Sequence, residues 1–238
     1  YYESIDPYRN VSLAKQLIDT EEALEEKLER GAKINPNSAD YDLRLRLQAI
    51  ERLSDILAAQ KENLAEMISR EVGKPLKESR AEIDKCAWLC DFYIEESPSV
   101  LKEVKLDLGE ATAYRRYEAL GLLLGIMPWN FPFWQVFRFA VPGIVAGNRI
   151  LLKHAPNCVL SARALNKLFK ESGLPSGAYQ AVYLSNQQAG KLLEDPRVKG
   201  LSLTGSTQAG RTVAQIAAAN LKPQLLELGG SNAFILHE

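Results

Sequence analysis

The residues best suited to chemistry lie in a few short runs. In GIMPWNFPFW, residues 125–134, one amide, Asn130, stands among two prolines, two tryptophans and two phenylalanines. Pro128 and Pro132 restrict the backbone on both sides of it. The aromatic rings are expected to exclude water, so Asn130 reads as a buried, rigidly held polar group. In LELGGSN, residues 226–232, Glu227 ends an apolar run just before two glycines. A carboxylate buried there would have a raised pKa suited to a general base; an ordinary strand-end acid is the rival reading. In LLKHAPN, residues 151–157, Lys153 ends another apolar run and is either a group in the mouth of a sheet or a surface lysine. In LTGSTQAG, residues 203–210, Gly205 permits close approach and the N–H groups of a helix start at Ser206 suit a pyrophosphate. Helix capping by Ser206 alone explains the same residues.

Arg138, in PFWQVFRFAVPG, has apolar neighbours on both sides. An unpaired buried charge is costly, so it needs a partner: solvent reached by snorkelling, a carboxylate of the same fold, or a bound anion.

These groups need elements to place them. Residues 20–30 read as a short helix with Thr20 as N-cap and Gly31 as its stop. Apolar spacing of three and four predicts a long helix over 40–71, interrupted by GKP at 73–75, and a further helix from Leu76 to about Glu96. From Val104 the pattern predicts a hairpin, turning at Gly109–Glu110, that leads into a buried strand. Thereafter helices over 132–147, 157–172, 186–194 and 206–220 alternate with strands over 149–153, 179–184, 199–203 and 223–228. That alternation predicts an α/β fold with a doubly wound, Rossmann-like parallel sheet. Ligands in such folds bind beyond the carboxyl ends of the strands, where LLKHAPN, LTGSTQAG and LELGGSN lie.

The composition excludes several classes. A net charge of -1 gives no global attraction for nucleic acid or anionic membrane. Tyr114 and Tyr117 around Arg115–Arg116 read as an edge strand or subunit contact. Cys86, Cys90 and Cys158 lack a CxxC spacing and read as reduced thiols, and no metal site is expected. No signal peptide and no apolar run of roughly 18 residues is found, which predicts a cytoplasmic, soluble protein.

Together, PWNFP (128–132), the strand-end Lys153, LTGS (203–206) and LELGG (226–230), with EVGKPLKESRAEI near the N-terminus, resemble the aldehyde dehydrogenase superfamily, closest in wording to bacterial succinate-semialdehyde dehydrogenases. The resemblance implies a catalytic role for Asn130, whose amide would bind the oxyanion of a thiohemiacetal, and for Glu227 as general base. It implies cofactor binding by Met127, Pro128, Trp129, Lys153, Ala155, Pro156, Gly205, Ser206 and Leu228, with NAD or NADP as the cofactor. Arg138 lies at the offset from PWNFP where succinate-semialdehyde dehydrogenases bind the substrate carboxylate. Residues 1–104 are expected to be the N-terminal helical part of the cofactor-binding domain, 105–120 an oligomerisation hairpin and 121–238 the NAD(P)-binding domain. A homo-oligomer, dimer or tetramer, is expected.

Two departures from the family pattern carry information. Pro156 stands where the family often has a ribose-gripping Glu, which favours acceptance of NADP's 2′-phosphate near Lys153. No cysteine lies at the family's nucleophile position within the chain, so the catalytic domain is expected to be absent from it and these residues alone are expected not to oxidise aldehydes. A non-enzymatic nucleotide-binding or oligomerising module is the alternative. A dehydrogenase with a GxGxxG fingerprint is excluded because no such run follows a strand.

Overall fold

The structure, a computed structural model, describes residues 1–36, 38–109, 111–230 and 233–237. Strands β1 (Tyr2–Asp6) and β2 (Val11–Gln16) form an antiparallel hairpin that the sequence reading did not foresee. Its inward residues include Ser4 and Asp6, so the apolar alternation that marks a strand is missing. Helix α1 (Glu21–Ala32) is capped by the Thr20 side chain, as expected. It runs through Gly31 to Ala32 instead of stopping there; the glycine serves packing, since a Cβ at that position would meet Leu122 at 2.8 Å.

Helix α2 (Leu43–Val72) starts at the Asp42 cap and ends at Gly73, which takes the left-handed φ of 72°. Helix α3 (Leu76–Val100) packs along it. Strands β3 (Val104–Leu108) and β4 (Ala111–Arg115) pair antiparallel as the predicted hairpin. Glu110, half of its expected turn, lies outside the described residues.

The remaining elements build the parallel sheet: β5 (Leu122–Met127), α4 (Trp134–Val145), β6 (Arg149–His154), α5 (Val159–Glu171), β7 (Tyr179–Ala181), α6 (Asn186–Glu194), β8 (Val198–Thr204), α7 (Thr207–Ala219) and β9 (Gln224–Glu227). Their order, β7-β6-β5-β8-β9, is doubly wound, with all four neighbouring pairs parallel. Strand alternation decides the layers. Ile150 and Leu152 join a core with α2, α3, α4 and α5, whereas Leu122, Leu124 and Leu151 face α6, Leu28 of α1 and Ala217 of α7. Gly125 lets Phe139 of α4 lie on β5, since a Cβ would stand 2.5 Å from its ring.

The strand expected over 179–184 stops at Ala181. Beyond it the chain bonds to the N-terminal segment: Asp19 N–H donates to Tyr183 O at 2.8 Å, and the Tyr2 hydroxyl donates to Leu184 O at 2.7 Å. Among the described residues, no helix is long and apolar enough to cross a membrane.

Candidate active site

In a parallel sheet every strand delivers its carboxyl end to one edge. Here Met127 pairs with His154, Ile126 with Leu203 and Thr204 with Glu227, so the runs that follow β5, β6, β8 and β9 emerge side by side. The chain turns β6 and β7 to one side of β5 and β8 and β9 to the other, which makes β5/β8 the topological switch point. A crevice at that point is where open α/β sheets bind their ligands.

The loop after β5 departs from expectation in one respect. Met127 is buried and Pro128 half-buried, but Trp129 is 53% exposed and Asn130 is exposed as well. The rings of Trp129 and Phe131 point outward, so they do not seal the amide from water. Asn130 Oδ1 accepts from the N–H of Phe131 at 3.0 Å, and among the described residues its NH₂ has no acceptor. This local bond turns the side chain without any help from burial.

Lys153 lies at the end of β6 and is 5% exposed, with its ammonium 5.6 Å from the centre of the Tyr2 ring. Burial pushes its pKa below the ordinary lysine range. No carboxylate or hydrogen-bond partner faces it among the described residues. The next residue, His154, is fully enclosed, and burial above all lowers its pKa to about 4. Its Nδ1 accepts from Ala155 N–H at 2.8 Å, so Nε2 carries the proton and donates to Pro132 O at 2.8 Å. Ala155 is half-buried. Pro156 is exposed, and its carbonyl accepts from Glu3 N–H of β1 at 3.0 Å.

After β8, Gly205 N–H donates to Glu227 O at 3.0 Å, and Ser206 caps α7 by accepting from Ala209 N–H at 3.2 Å. The capping role of Ser206 is thus realised, and the first N–H groups of α7 still lack intrahelical acceptors. Leu228 lies on α7 where Gly210 makes room for it; a Cβ there would stand 2.5 Å from the Leu228 methyl.

Glu227 is not buried as expected: its side chain is 49% exposed. Instead its carboxylate meets Arg138 Nη2 at 2.9 Å. Sequence reasoning gave the two residues separate roles, and the structure pairs them, which is the same-fold carboxylate among the partners weighed for Arg138.

Lys74 and Glu82, which the sequence did not single out, contact the loop after β5. Glu82 Oε1 accepts from Phe133 N–H at 2.8 Å and Trp134 N–H at 2.9 Å, and its Oε2 lies 2.6 Å from Lys74 Nζ. Both belong to EVGKPLKESRAEI, so the motif was visible although its contact with the PWNFP loop was not. The three thiols sit elsewhere, in the core of α3 and at the start of α5. Burial pushes all three above the ordinary cysteine range, which leaves them poor nucleophiles. A cavity of about 600 Å³ lined by Lys27, Arg163 and Tyr179 opens at the β7 side, away from β5, β8 and β9.

A doubly wound parallel sheet that brings a capped helix, a buried lysine and a carboxylate to its carboxyl-end edge defines a Rossmann-like architecture. The aldehyde dehydrogenase family model matches residues 1–238, and the chain belongs to that family. It is 45% identical over 189 residues to the succinate semialdehyde dehydrogenase [NAD(P)+] Sad of Escherichia coli, covering 78% of this chain and 41% of that protein. It is 40% identical over 191 residues to a probable succinate-semialdehyde dehydrogenase [NADP(+)] of Synechocystis, covering 80% of this chain and 42% of that protein. The crystal structure of succinic semialdehyde dehydrogenase from Streptococcus pyogenes in complex with NADP+ superposes with a TM-score of 0.93 at 32% identity, over 98% of this chain and 52% of that one. The chain therefore spans about two fifths of the length of the curated relatives it matches.

Proposed function

We propose that residues 1–238 form the cofactor-binding part of an NAD(P)-dependent aldehyde dehydrogenase that oxidises succinate semialdehyde to succinate. The observation that carries this reading is the convergence of the Asn130 loop, Lys153, the α7 N-terminus and Glu227 on one sheet edge. The cofactor fits what is there: among the described residues the buried Lys153 ammonium lacks an anionic partner, and the first amides of α7 are open donors for a pyrophosphate. When bound, it would accept the hydride from the substrate carbon. Met127, Pro128, Trp129, Ala155, Pro156 and Leu228 would line its path beside Lys153, Gly205 and Ser206.

The chain's own residues would serve the acyl-transfer half of the reaction. The free NH₂ of Asn130 would donate to the oxyanion formed when a cysteine thiolate adds to the aldehyde carbonyl. Such a preorganised donor is worth about 3–4 kcal/mol. Glu227 would take a proton from the thiol or from the water that releases the product. The thiolate is not supplied by Cys86, Cys90 or Cys158, whose burial disfavours ionisation, so we assign it to a cysteine outside residues 1–238. We further infer that the β3–β4 hairpin joins subunits of a homo-oligomer.

Arg138 is the group we assign to the distal carboxylate of the substrate, because planar bidentate pairing suits arginine. The relatives' substrate names support this choice. Its ion pair with Glu227 favours a second reading, in which Arg138 holds the general base instead. One experiment on the complete enzyme separates them. Arg138→Ala is expected to raise KM for succinate semialdehyde by about tenfold or more, and that for a neutral aldehyde of equal length by less than about twofold, as loss of one charged pair predicts. An equal fall in kcat for both aldehydes, with KM unchanged, refutes the substrate role and assigns Arg138 to Glu227.

A further inference from the structure

The loop that carries Asn130 is held from outside by three groups. Lys74 Nζ sits 3.6 Å over the Phe131 ring. His154 Nε2–H donates to Pro132 O at 2.8 Å. Glu82 Oε1 accepts from both Phe133 N–H and Trp134 N–H, at 2.8 and 2.9 Å. The residues that follow Asn130 are thus tied one after another, while among the described residues Asn130 itself bonds only to its own neighbour, Phe131.

The anchors are built more firmly than a surface contact requires. The Glu82 side chain is 0% and the Lys74 side chain 8% exposed, and their charges meet at 2.6 Å. The carboxylate stands at the first turn of α4, where amides lack intrahelical acceptors and the helix dipole favours a negative charge. No side chain of α4 caps that turn, because its N-cap residue is Phe133. Lys74 in turn occupies the connector between α2 and α3, fixed by the left-handed Gly73, whose φ of 72° a larger residue would resist.

We propose that Glu82, charge-balanced by Lys74, is a positioning residue that aims the Asn130 amide, with His154 as its second anchor. This rests on the oxyanion role proposed for Asn130. Through bonds to the residues just beyond Asn130, the buried pair sets where the amide points, in place of the aromatic enclosure that its exposed setting lacks. Oxyanion donors act only when held within a few tenths of an ångström of the developing charge, so a small drift of the loop reduces catalysis before it reduces folding.

The test is a double-mutant cycle on the complete enzyme with Glu82→Gln and Asn130→Ala. Glu82→Gln is expected to lower kcat about tenfold or more, within the hundredfold or more that loss of an oxyanion donor costs. The Kd for NADP should stay within about twofold, and in the Asn130→Ala background the further loss of kcat should be less than about twofold. An additive cycle, or a Kd that moves with kcat, overturns the positioning role. Asn130→Ala at full rate instead sinks the proposed oxyanion function itself, and the clamp's catalytic role with it. Should Glu82→Gln not fold, Lys74→Met gives the same cycle with Glu82 Oε1 still in place to accept from both N–H groups. Hydrogen exchange on residues 1–238 adds a readout free of catalysis. The Phe133 and Trp134 amides are expected to exchange slowly, and exchange as fast as at an exposed loop overturns the clamp in the unmodified chain.

Discussion

Burial and two hydrogen bonds together fix the charge of His154. Its folded pKa of about 4 lies below its unfolded value of 6.5, with Lys153 beside it adding to the depression and the bond to Pro132 O opposing it. The native state therefore keeps the ring neutral while the unfolded chain protonates it. Stability from this residue is complete above pH 6.5 and is lost as pH falls through 6.5 towards 4. The shift corresponds to about 3 kcal/mol between pH 7 and pH 4. His154→Gln keeps an N–H donor for Pro132 O but cannot titrate. Denaturant midpoints measured at both pH values should therefore fall less for the variant, and an equal fall would rule out the buried neutral imidazole. Arg138 and Glu227 teach a related lesson. Each was legible as a charged residue in an apolar run, yet only the fold reveals that α4 and the end of β9 bring them within 2.9 Å.

Elements are joined here by buried carboxylates as much as by apolar faces. Glu71, in the last turn of α2 and 2% exposed, accepts from Leu160 N–H at 2.6 Å, Ser161 N–H at 2.9 Å, and the hydroxyls of Ser161 and Ser4, both at 2.5 Å. It thereby ties α2 to the first turn of α5 and to β1, next to the loop that carries Ala155 and Pro156. Glu71→Ala would orphan two backbone donors, at about 1–3 kcal/mol each. For a chain of this size that lowers Tm by about 4 °C at the least. A melting temperature within 1 °C of the parent would show the bonds to be dispensable (about 0.5 kcal/mol or less). Such polar joints also explain which elements could be read from sequence. The long helices and the β5, β6 and β8 strands announce themselves by apolar period. The β1–β2 hairpin does not, because Ser4 and Asp6 face inward to hydrogen bonds. Tyr183 and Leu184, the last residues expected in β7, bond instead to Asp19 and Tyr2, which are distant in sequence. Motif residues at strand ends were readable as site candidates, whereas the groups that hold them, Lys74, Glu82 and His154, act through contacts no local pattern encodes.

At the scale of the whole molecule, one edge collects both chemistry and exposed apolar surface. Trp129, Phe131 and Leu228 are all more than a third exposed, as is Leu225 on the edge strand β9. A sheet edge with open backbone groups and apolar side chains is a surface that favours being covered. Lys153, at the carboxyl end of β6, has no anionic partner among the described residues, and a ligand bound there would couple to global stability. A ligand at 100 times its Kd adds about 2.7 kcal/mol, which for a chain of this length raises Tm by about 5–11 °C. NADP carries a 2′-phosphate that Lys153 is free to pair with, and Pro156 places no carboxylate against it. At equal concentration, NADP should therefore raise the melting temperature of residues 1–238 more than NAD does. Lys153→Met keeps the buried stem and removes the charge, so it should bring the NADP shift down to that of NAD. Added salt should narrow the parent's difference, as screening of one phosphate contact requires. A parent chain that NAD stabilises more than NADP, or a Lys153→Met variant that keeps the full difference, would place the 2′-phosphate elsewhere and remove Lys153 from the site.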